Sequence, residues 1–290
     1  MSISAFLEKR FTSSDAQSSS EQDKALTMVE QLTGLGAAVS SLEYLASSRD
    51  FDRGELLSWD TARTRYRWMT GKSEKALATV FDKPGIQALF GMRVLAAATL
   101  INPNATAQSK TVAATYLAGT NFAVHARSPY GSDGSETVLT ISLTTLALSR
   151  MFGSDPQARR ACLWFIAAQS CLSYGIAGAA KLISPVWRDG TAVRDIFRTR
   201  MFGHRLAFSV LRDRPKLARV LGQVTIAGEM LFPLVLVSPR PVARALLGVG
   251  AGFHVSNAVF MGLNRFVWAF LGTYPAIVYC SRSLGPGKDR

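Results

Sequence analysis

An uncharged, mostly apolar stretch at residues 161–180 is the feature that most restricts how this chain can fold. A helix that crosses the hydrocarbon core of a bilayer needs roughly 20 consecutive, mainly apolar residues, and this stretch has that length. Residues 220–237, 242–263 and 266–280 have a similar character. The C-terminal half is therefore predicted to form a dense group of membrane-spanning helices.

Weaker candidates for spans lie in the N-terminal half. Residues 111–124 and 137–149 are uncharged but short, so each would need flanking residues or a locally thinner bilayer. Residues 86–101 contain Arg93. Residues 28–48 contain glutamates and can span the membrane or form an amphipathic helix on its surface.

Two long basic links, residues 49–85 and 183–216, each contain eight Lys or Arg and at least one Trp. Neither alternates as a strand does, so both are predicted to contain interfacial helices. The predicted fold is an all-α polytopic transmembrane bundle of about eight spans over residues 28–281. A polar, disordered N-terminal tail (1–27), which lacks a signal-peptide core, and a polar C-terminal tail (282–290) flank it.

The formal net charge of +13 would indicate nucleic-acid binding in a soluble protein. Here the basic residues lie mostly in the links, so membrane lipids and not nucleic acid are the expected partners. The short links at 150–160 and 238–244 hold more Lys and Arg than those around Arg127 and Arg265. This predicts a multi-pass protein of the cell membrane with both termini in the cytoplasm, although the long basic links would then lie outside.

Several kinds of site have no sequence signal. Cys162, Cys171 and Cys280 lie in apolar stretches without a CxxC or Cys/His pair, so neither a disulfide framework nor a metal site is predicted. The chain has no GxGxxG, Walker A, GxSxG or HExxH motif, which argues against a nucleotide-dependent enzyme.

Lys181 ends the uncharged stretch and is the first candidate for chemistry, because ionisable residues in lipid are costly. Tyr174, Gly178 and Lys181 share one helix face at i, i+4 and i+7, and Gly178 allows close helix approach. A lysine at the apolar boundary has its charged form disfavoured and can act as a base. The alternative is an amine that snorkels to the headgroups.

His254, Asn257 and Glu229 lie in two other predicted spans. His254 and Asn257 share a helix face, where they can hold a polar substrate group or only join helices by a hydrogen bond. Glu229 can pair with Lys181 or His254 and relay a proton, or it can be a structural partner of an arginine.

Two segments carry a likeness to a known family. Residues 174–182, followed by Trp187 and Gly190, match the pattern Y-x-I-A-G-x-x-K-L…W…G. The second segment consists of Phe253-His254-x-x-Asn257, then Gly262, Phe266 and Pro275. Together they resemble the membrane domain of vitamin K-dependent gamma-carboxylases and the bacterial HTTM proteins related to them.

This resemblance implies an enzyme in which Lys181 is the base that acts on a reduced quinone, assisted by His125. With the span analysis, it gives the candidate catalytic residues Lys181, His125 and His254. The candidate substrate-binding residues are Tyr174, Trp187, Asn257, Glu229, Tyr130 and Asp133, the last two in a glycine-containing turn after His125.

The implied reaction is carboxylase- or epoxidase-like lyase chemistry, or modification of an isoprenoid, on a lipophilic substrate. It can be coupled to modification of a secreted peptide, but no large extra-membrane domain follows the last predicted span, so carboxylation of a protein stays open. One alternative is a non-catalytic accessory or immunity-type membrane protein for a secreted peptide. Another is a small transporter, against which the lack of an inverted repeat argues.

Overall fold

The structure is a computed structural model that describes residues 3–66, 68, 70–128, 133–153 and 155–284. All regular elements in these ranges are helices, which confirms the all-α prediction. The chain divides into two compact units. The smaller unit is Glu30–Gly153, and the larger unit combines Met1–Val29 with Ser154–Arg290.

The helices up to residue 153 are α1 (Ile3–Ala46), α2 (Trp59–Ala62), α3 (Lys72–Phe81), α4 (Gly85–Ile101), α5 (Ala107–Arg127) and α6 (Gly134–Met151). The later helices are α7 (Pro156–Ile183), α8 (Pro185–Arg188), α9 (Thr191–Asp195), α10 (Arg205–Asp213), α11 (Pro215–Leu231), α12 (Arg240–Met261), α13 (Asn264–Leu271) and α14 (Tyr274–Leu284). Short 3-10 segments are Ser48–Phe51, Arg63–Tyr66, Ile196–Arg198 and Phe232–Leu236.

The smaller unit has a core of alanine and leucine side chains. Ala37, Ala97, Leu100, Leu117 and Leu143, from four different helices, are fully buried in one cluster. The alanines let the helix backbones approach closely, and the leucines fill the remaining space.

Two buried charged residues of the smaller unit, Arg93 and Glu30, are bound by protein groups. Arg93 is 1% exposed, and its guanidinium donates to Thr120 Oγ1 at 2.7 Å and to the side-chain oxygen of Asn121. Glu30 accepts bonds from Arg150 at 2.5 and 2.7 Å. These contacts show how an otherwise apolar segment can carry a charge, because each buried ion has a partner.

In the larger unit, α7 packs against α11, α14 and the 3-10 segment Phe232–Leu236. Residues 1–27, predicted as a disordered tail, fall mainly on α1, which begins at Ile3. Ala25 and Leu26 are buried, and Asp23 forms an ion pair with Arg159 of α7. Apolar burial and this ion pair account for ordered helix in the last part of that segment.

Among the described residues, two helical segments are long and apolar enough to cross a membrane, Pro156–Ile183 and Pro215–Leu236. The first contains the predicted span 161–180 and the second covers all but the last residue of the predicted span 220–237, which confirms both as candidates. Large apolar side chains such as Leu172 of α7 remain exposed on them, as lipid-facing side chains would be.

The prediction of about eight spans is not supported by the described residues. A third crossing exists only if α3 and α4, which are bent by 56° at their break, form one span. Helix α12 covers residues 242–261 of the predicted span 242–263, but Arg244 and His254 make it more polar. The predicted span 266–280 is divided into α13 and α14 at Gly272–Thr273, and Pro275 lies in the first turn of α14, where proline is tolerated.

The two basic links do contain short helices, as predicted. Helices α2 and α3 lie in residues 49–85, and α8, α9 and α10 lie in residues 183–216. Their position at a membrane interface stays a prediction.

Candidate functional site

A cavity of about 670 Å3 lies in the larger unit, between α10, α11 and α12. Its volume is in the range of small-molecule sites, roughly 300–1,000 Å3. The wall is mostly apolar. The polar side chains in it are Tyr174, His204, Thr225, Glu229, Ser256 and Asn257.

Glu229 is the acidic member of this wall, and it is paired with Lys181. The Lys181 amine lies 2.8 Å from Oε1 and 2.7 Å from Oε2 of the carboxylate. Glu229 is 5% exposed in the structure. The sequence left Lys181, His254 or an arginine as possible partners of Glu229, and the structure shows that the partner is Lys181. Glu229 is among the residues that line the cavity, whereas Lys181 is not among the described residues that line it.

Lys181 has a second contact on its other side. Its amine lies 5.1 Å from the ring centroid of Trp187 in α8, a distance at which the aromatic face attracts a cation. Trp187, predicted to bind substrate, instead contacts the lysine and is absent from the described cavity wall. The sequence also allowed Lys181 to extend towards the lipid headgroups. In the structure its amine instead contacts Glu229 and Trp187.

Close helix approach brings Lys181 and Glu229 together. A Cβ atom added to Gly178 would lie 2.8 Å from the backbone nitrogen of Met230, one residue after Glu229. Only glycine therefore lets α7 and α11 meet at this depth, as the sequence predicted for Gly178.

The turn before α9 depends on Gly190, which adopts a φ of 87°. An added Cβ there would meet the backbone of Arg219 in α11, so both the backbone conformation and the space require glycine. The neighbouring Asp189 carboxylate accepts a bond from the Thr191 backbone N–H at 2.8 Å, which holds the pKa of Asp189 below its ordinary value. The glycine at the end of the first sequence motif, Gly190, is therefore explained by its packing against α11.

Tyr174 and His254 form a second polar centre. The Tyr174 hydroxyl lies 2.7 Å from His254 Nε2 and 2.9 Å from the Tyr274 hydroxyl. The Tyr174 ring stacks on Phe232 at a centroid distance of 3.8 Å. His254 Nδ1 is buried without a hydrogen-bond partner among the described residues. The three polar groups connect α7, α12 and α14, and Tyr174 also reaches the cavity wall.

His204 is a cavity residue that the sequence reasoning missed. Its Nδ1 accepts a hydrogen bond from the Ala207 backbone N–H at 3.1 Å and so caps α10. Its ring lies edge-on to Phe260 at 5.5 Å. A histidine directly before the amphipathic sequence of α10 was the available signal, because a polar side chain at that position can cap a helix.

The remaining predicted site residues belong to the smaller unit or lie outside the described residues. His125 Nε2 lies 3.5 Å from Thr140 Oγ1. Asp133 caps α6 by accepting a bond from the Glu136 backbone N–H at 3.0 Å. Tyr130 lies outside the described residues. Because His125 and Lys181 belong to different units, their convergence stays a prediction.

Comparison of the chain with family models, curated proteins and solved structures finds no match. The resemblance to the carboxylase and HTTM families thus rests on the two sequence segments alone. In the part of the chain that the structure describes, no cluster of three or more His, Cys, Asp or Glu side chains could hold a metal ion.

Proposed function

We propose that this protein is an integral membrane enzyme that acts on a lipophilic molecule bound in the cavity of the larger unit. The observation that carries the proposal is that Glu229, a residue of the mostly apolar cavity wall, is buried and forms an ion pair with Lys181. A buried carboxylate is costly unless it is paired. Its place beside a ligand-sized space supports a role in chemistry.

The Lys181–Glu229 pair can move a proton at the cavity wall. In the ion-paired form, Glu229 is the base that faces the ligand, and the Lys181 ammonium stabilises its charge. Transfer of the lysine proton to Glu229 gives a neutral amine and a neutral acid. A low dielectric disfavours the charged pair and so narrows the energy gap between the ion pair and this neutral pair. Lys181 then becomes the base that the family resemblance implies, with Glu229 as its proton acceptor.

A reduced quinone or an isoprenoid fits this cavity by shape and polarity. Phe197, Phe253 and Phe260 line it, together with aliphatic side chains of α10 and α11. A reduced quinone would supply electrons for an oxygen-dependent reaction when bound. The chain itself would hold the ring and tail on apolar walls, exclude water and exchange a proton at Glu229. The product can serve the modification of a secreted peptide.

In this proposal the chain is a multi-pass protein of the cell membrane with both termini in the cytoplasm. The two long spans in the larger unit support a membrane location, and an even number of crossings returns the chain to the side where it began. Reporter fusions at residue 1 and residue 290 would test the orientation.

One observation favours the non-catalytic alternative, an accessory or immunity-type membrane protein. Both Glu229 oxygens are bound by Lys181, which also contacts Trp187. In this alternative, the sole role of the pair is to join α7, α8 and α11. This alternative predicts that the pair matters for folding but for no chemical conversion.

Mass spectrometry of lipid extracts tests the proposal directly. Membranes that contain wild-type protein should accumulate a modified lipophilic product, and Glu229→Gln should abolish it while the protein remains folded. Asp213→Asn, which alters an exposed ion pair with Arg212, is the matched control and should retain the product. Identical lipid profiles for the wild type and for Glu229→Gln would exclude the enzyme and favour the accessory role.

A further inference from the structure

Most polar side chains in the cavity wall are already satisfied by the protein. The Thr225 hydroxyl donates to Leu221 O at 2.9 Å, and the Ser256 hydroxyl donates to Gly252 O at 2.8 Å. The Tyr174 hydroxyl is bound to His254 and Tyr274. The Thr225 and Ser256 hydroxyls therefore have no free hydrogen to donate to an acceptor oxygen of a ligand.

His204 Nε2 and the Asn257 side-chain amide are different. Neither has a hydrogen-bond partner among the described residues, and both side chains line the cavity. Asn257 lies one helical turn before Phe260, whose ring meets the His204 ring at 5.5 Å. The two free polar groups therefore lie on the same side of the cavity.

The cap on α10 determines what His204 can offer. Because Nδ1 accepts the Ala207 N–H, the neutral ring carries its hydrogen on Nε2. His204 thus presents an N–H donor to the cavity. The Asn257 amide can donate and accept. Such a pair suits a ligand oxygen that accepts hydrogen bonds.

The charges around the cavity determine the charge of the ligand. Glu229 is the only charged side chain among the described residues of the wall, and Lys181 neutralises it. No lysine or arginine of the described wall faces the space. A phosphate or carboxylate head group inside would be an unpaired buried charge, which is strongly unfavourable.

We infer that His204 and Asn257 recognise the head group of an uncharged amphiphile, through a carbonyl or hydroxyl oxygen. The apolar chain of this ligand lies along the aliphatic side chains of α10 and α11, such as Val210, Leu217 and Leu221. This inference rests on the proposed function for the cavity itself. It adds two specificity residues and excludes anionic lipids as substrates.

Native mass spectrometry of the purified full chain in detergent tests this with four probes that share one hydrocarbon skeleton. The probes are farnesane, farnesol, farnesal and farnesyl phosphate. We expect farnesol and farnesal to bind at least tenfold more tightly than farnesyl phosphate. Tighter binding of farnesyl phosphate would overturn the inference.

Two variants test the residues. His204→Ser keeps a side chain that can cap α10 but removes the imidazole N–H from the cavity, and Asn257→Leu keeps the volume. Each should weaken farnesol binding about tenfold and leave farnesane binding unchanged, while circular dichroism shows an intact helical fold. Unchanged farnesol binding in both would contradict the inference alone. Failure of every probe, farnesane included, would contradict the proposed ligand cavity as well.

Discussion

The hydroxyl of Tyr174 lies 2.7 Å from Nε2 of His254, in the interior of the larger unit. Tyr274 completes the arrangement at 2.9 Å from the same hydroxyl. A phenol can donate one hydrogen bond and accept others, so Tyr174 satisfies two buried partners at once. This single side chain joins three helices through polar contacts in an otherwise apolar environment.

We expect Tyr174→Phe to lower the free energy of unfolding by about 1–3 kcal/mol, because His254 Nε2 and the Tyr274 hydroxyl would lose a partner in a buried site. Thermal unfolding in detergent measures the effect. Tyr279→Phe is the matched control, since the Tyr279 hydroxyl has no hydrogen bond among the described residues. Equal melting temperatures for the two variants would show that the Tyr174 contact contributes little.

The ion pair of Lys181 and Glu229 predicts a pattern across single and double variants. Lys181→Met should destabilise the protein by about 3–5 kcal/mol, because it leaves the buried Glu229 carboxylate without a counter-charge. The double variant Lys181→Met/Glu229→Leu should recover most of that loss, since neither charge remains. Thermal melting of both, with Arg212→Met as an exposed control, makes the comparison. A double variant no more stable than the single one would contradict this account.

The spans at 161–180 and 220–237 could be predicted because a long apolar run is sufficient to identify a helix that suits lipid. Helix spacing and two short motifs identified Tyr174, Lys181, His254 and Asn257 as candidates, and Glu229 was identified as the acidic residue of its span. Helical periodicity alone placed Tyr174 and Lys181 on one face, and the structure shows the contacts each makes.

Other features depend on tertiary contacts that a sequence pattern does not contain. The partner of Glu229 was one of several ionisable residues, and only the close approach at Gly178 selects Lys181. His204 was overlooked because its role depends on how α10 covers the cavity. The number of spans was overestimated because uncharged runs were counted without weighing their serine, threonine and flanking charges.

Arg93 should be among the residues least tolerant of change in the smaller unit. Arg93→Met removes the donor to Thr120 and Asn121 and leaves buried acceptors unsatisfied, so we expect a loss of about 3–5 kcal/mol. Arg93→Lys should rescue little, because a compact ammonium cannot reach several acceptors in the fork geometry of a guanidinium.

Melting temperatures of the Arg93 variants, compared with exposed Arg53→Met, test this. Full rescue by Arg93→Lys would show that charge alone matters at this position.

Gly178 and Gly175 offer a matched pair of substitutions on one helix. A Cβ at Gly178 would lie 2.8 Å from the Met230 backbone nitrogen and 3.0 Å from Glu229 Cβ, whereas a Cβ at Gly175 would lie at an ordinary 3.5 Å from Pro233 Cγ. Gly178→Ala must therefore separate α7 from α11 and displace the Glu229 carboxylate from Lys181. We expect it to lower stability by about 1–3 kcal/mol, the usual range for overpacking.

Gly175→Ala should be neutral or slightly stabilising, because alanine favours the helix by about 1 kcal/mol over glycine. Thermal melting gives the stability of both variants. Retention of the lipophilic ligand during purification reports on the cavity beside Glu229. If Gly178→Ala has the same melting temperature as Gly175→Ala and retains the same amount of ligand, the close approach of α7 and α11 does not determine the position of Glu229.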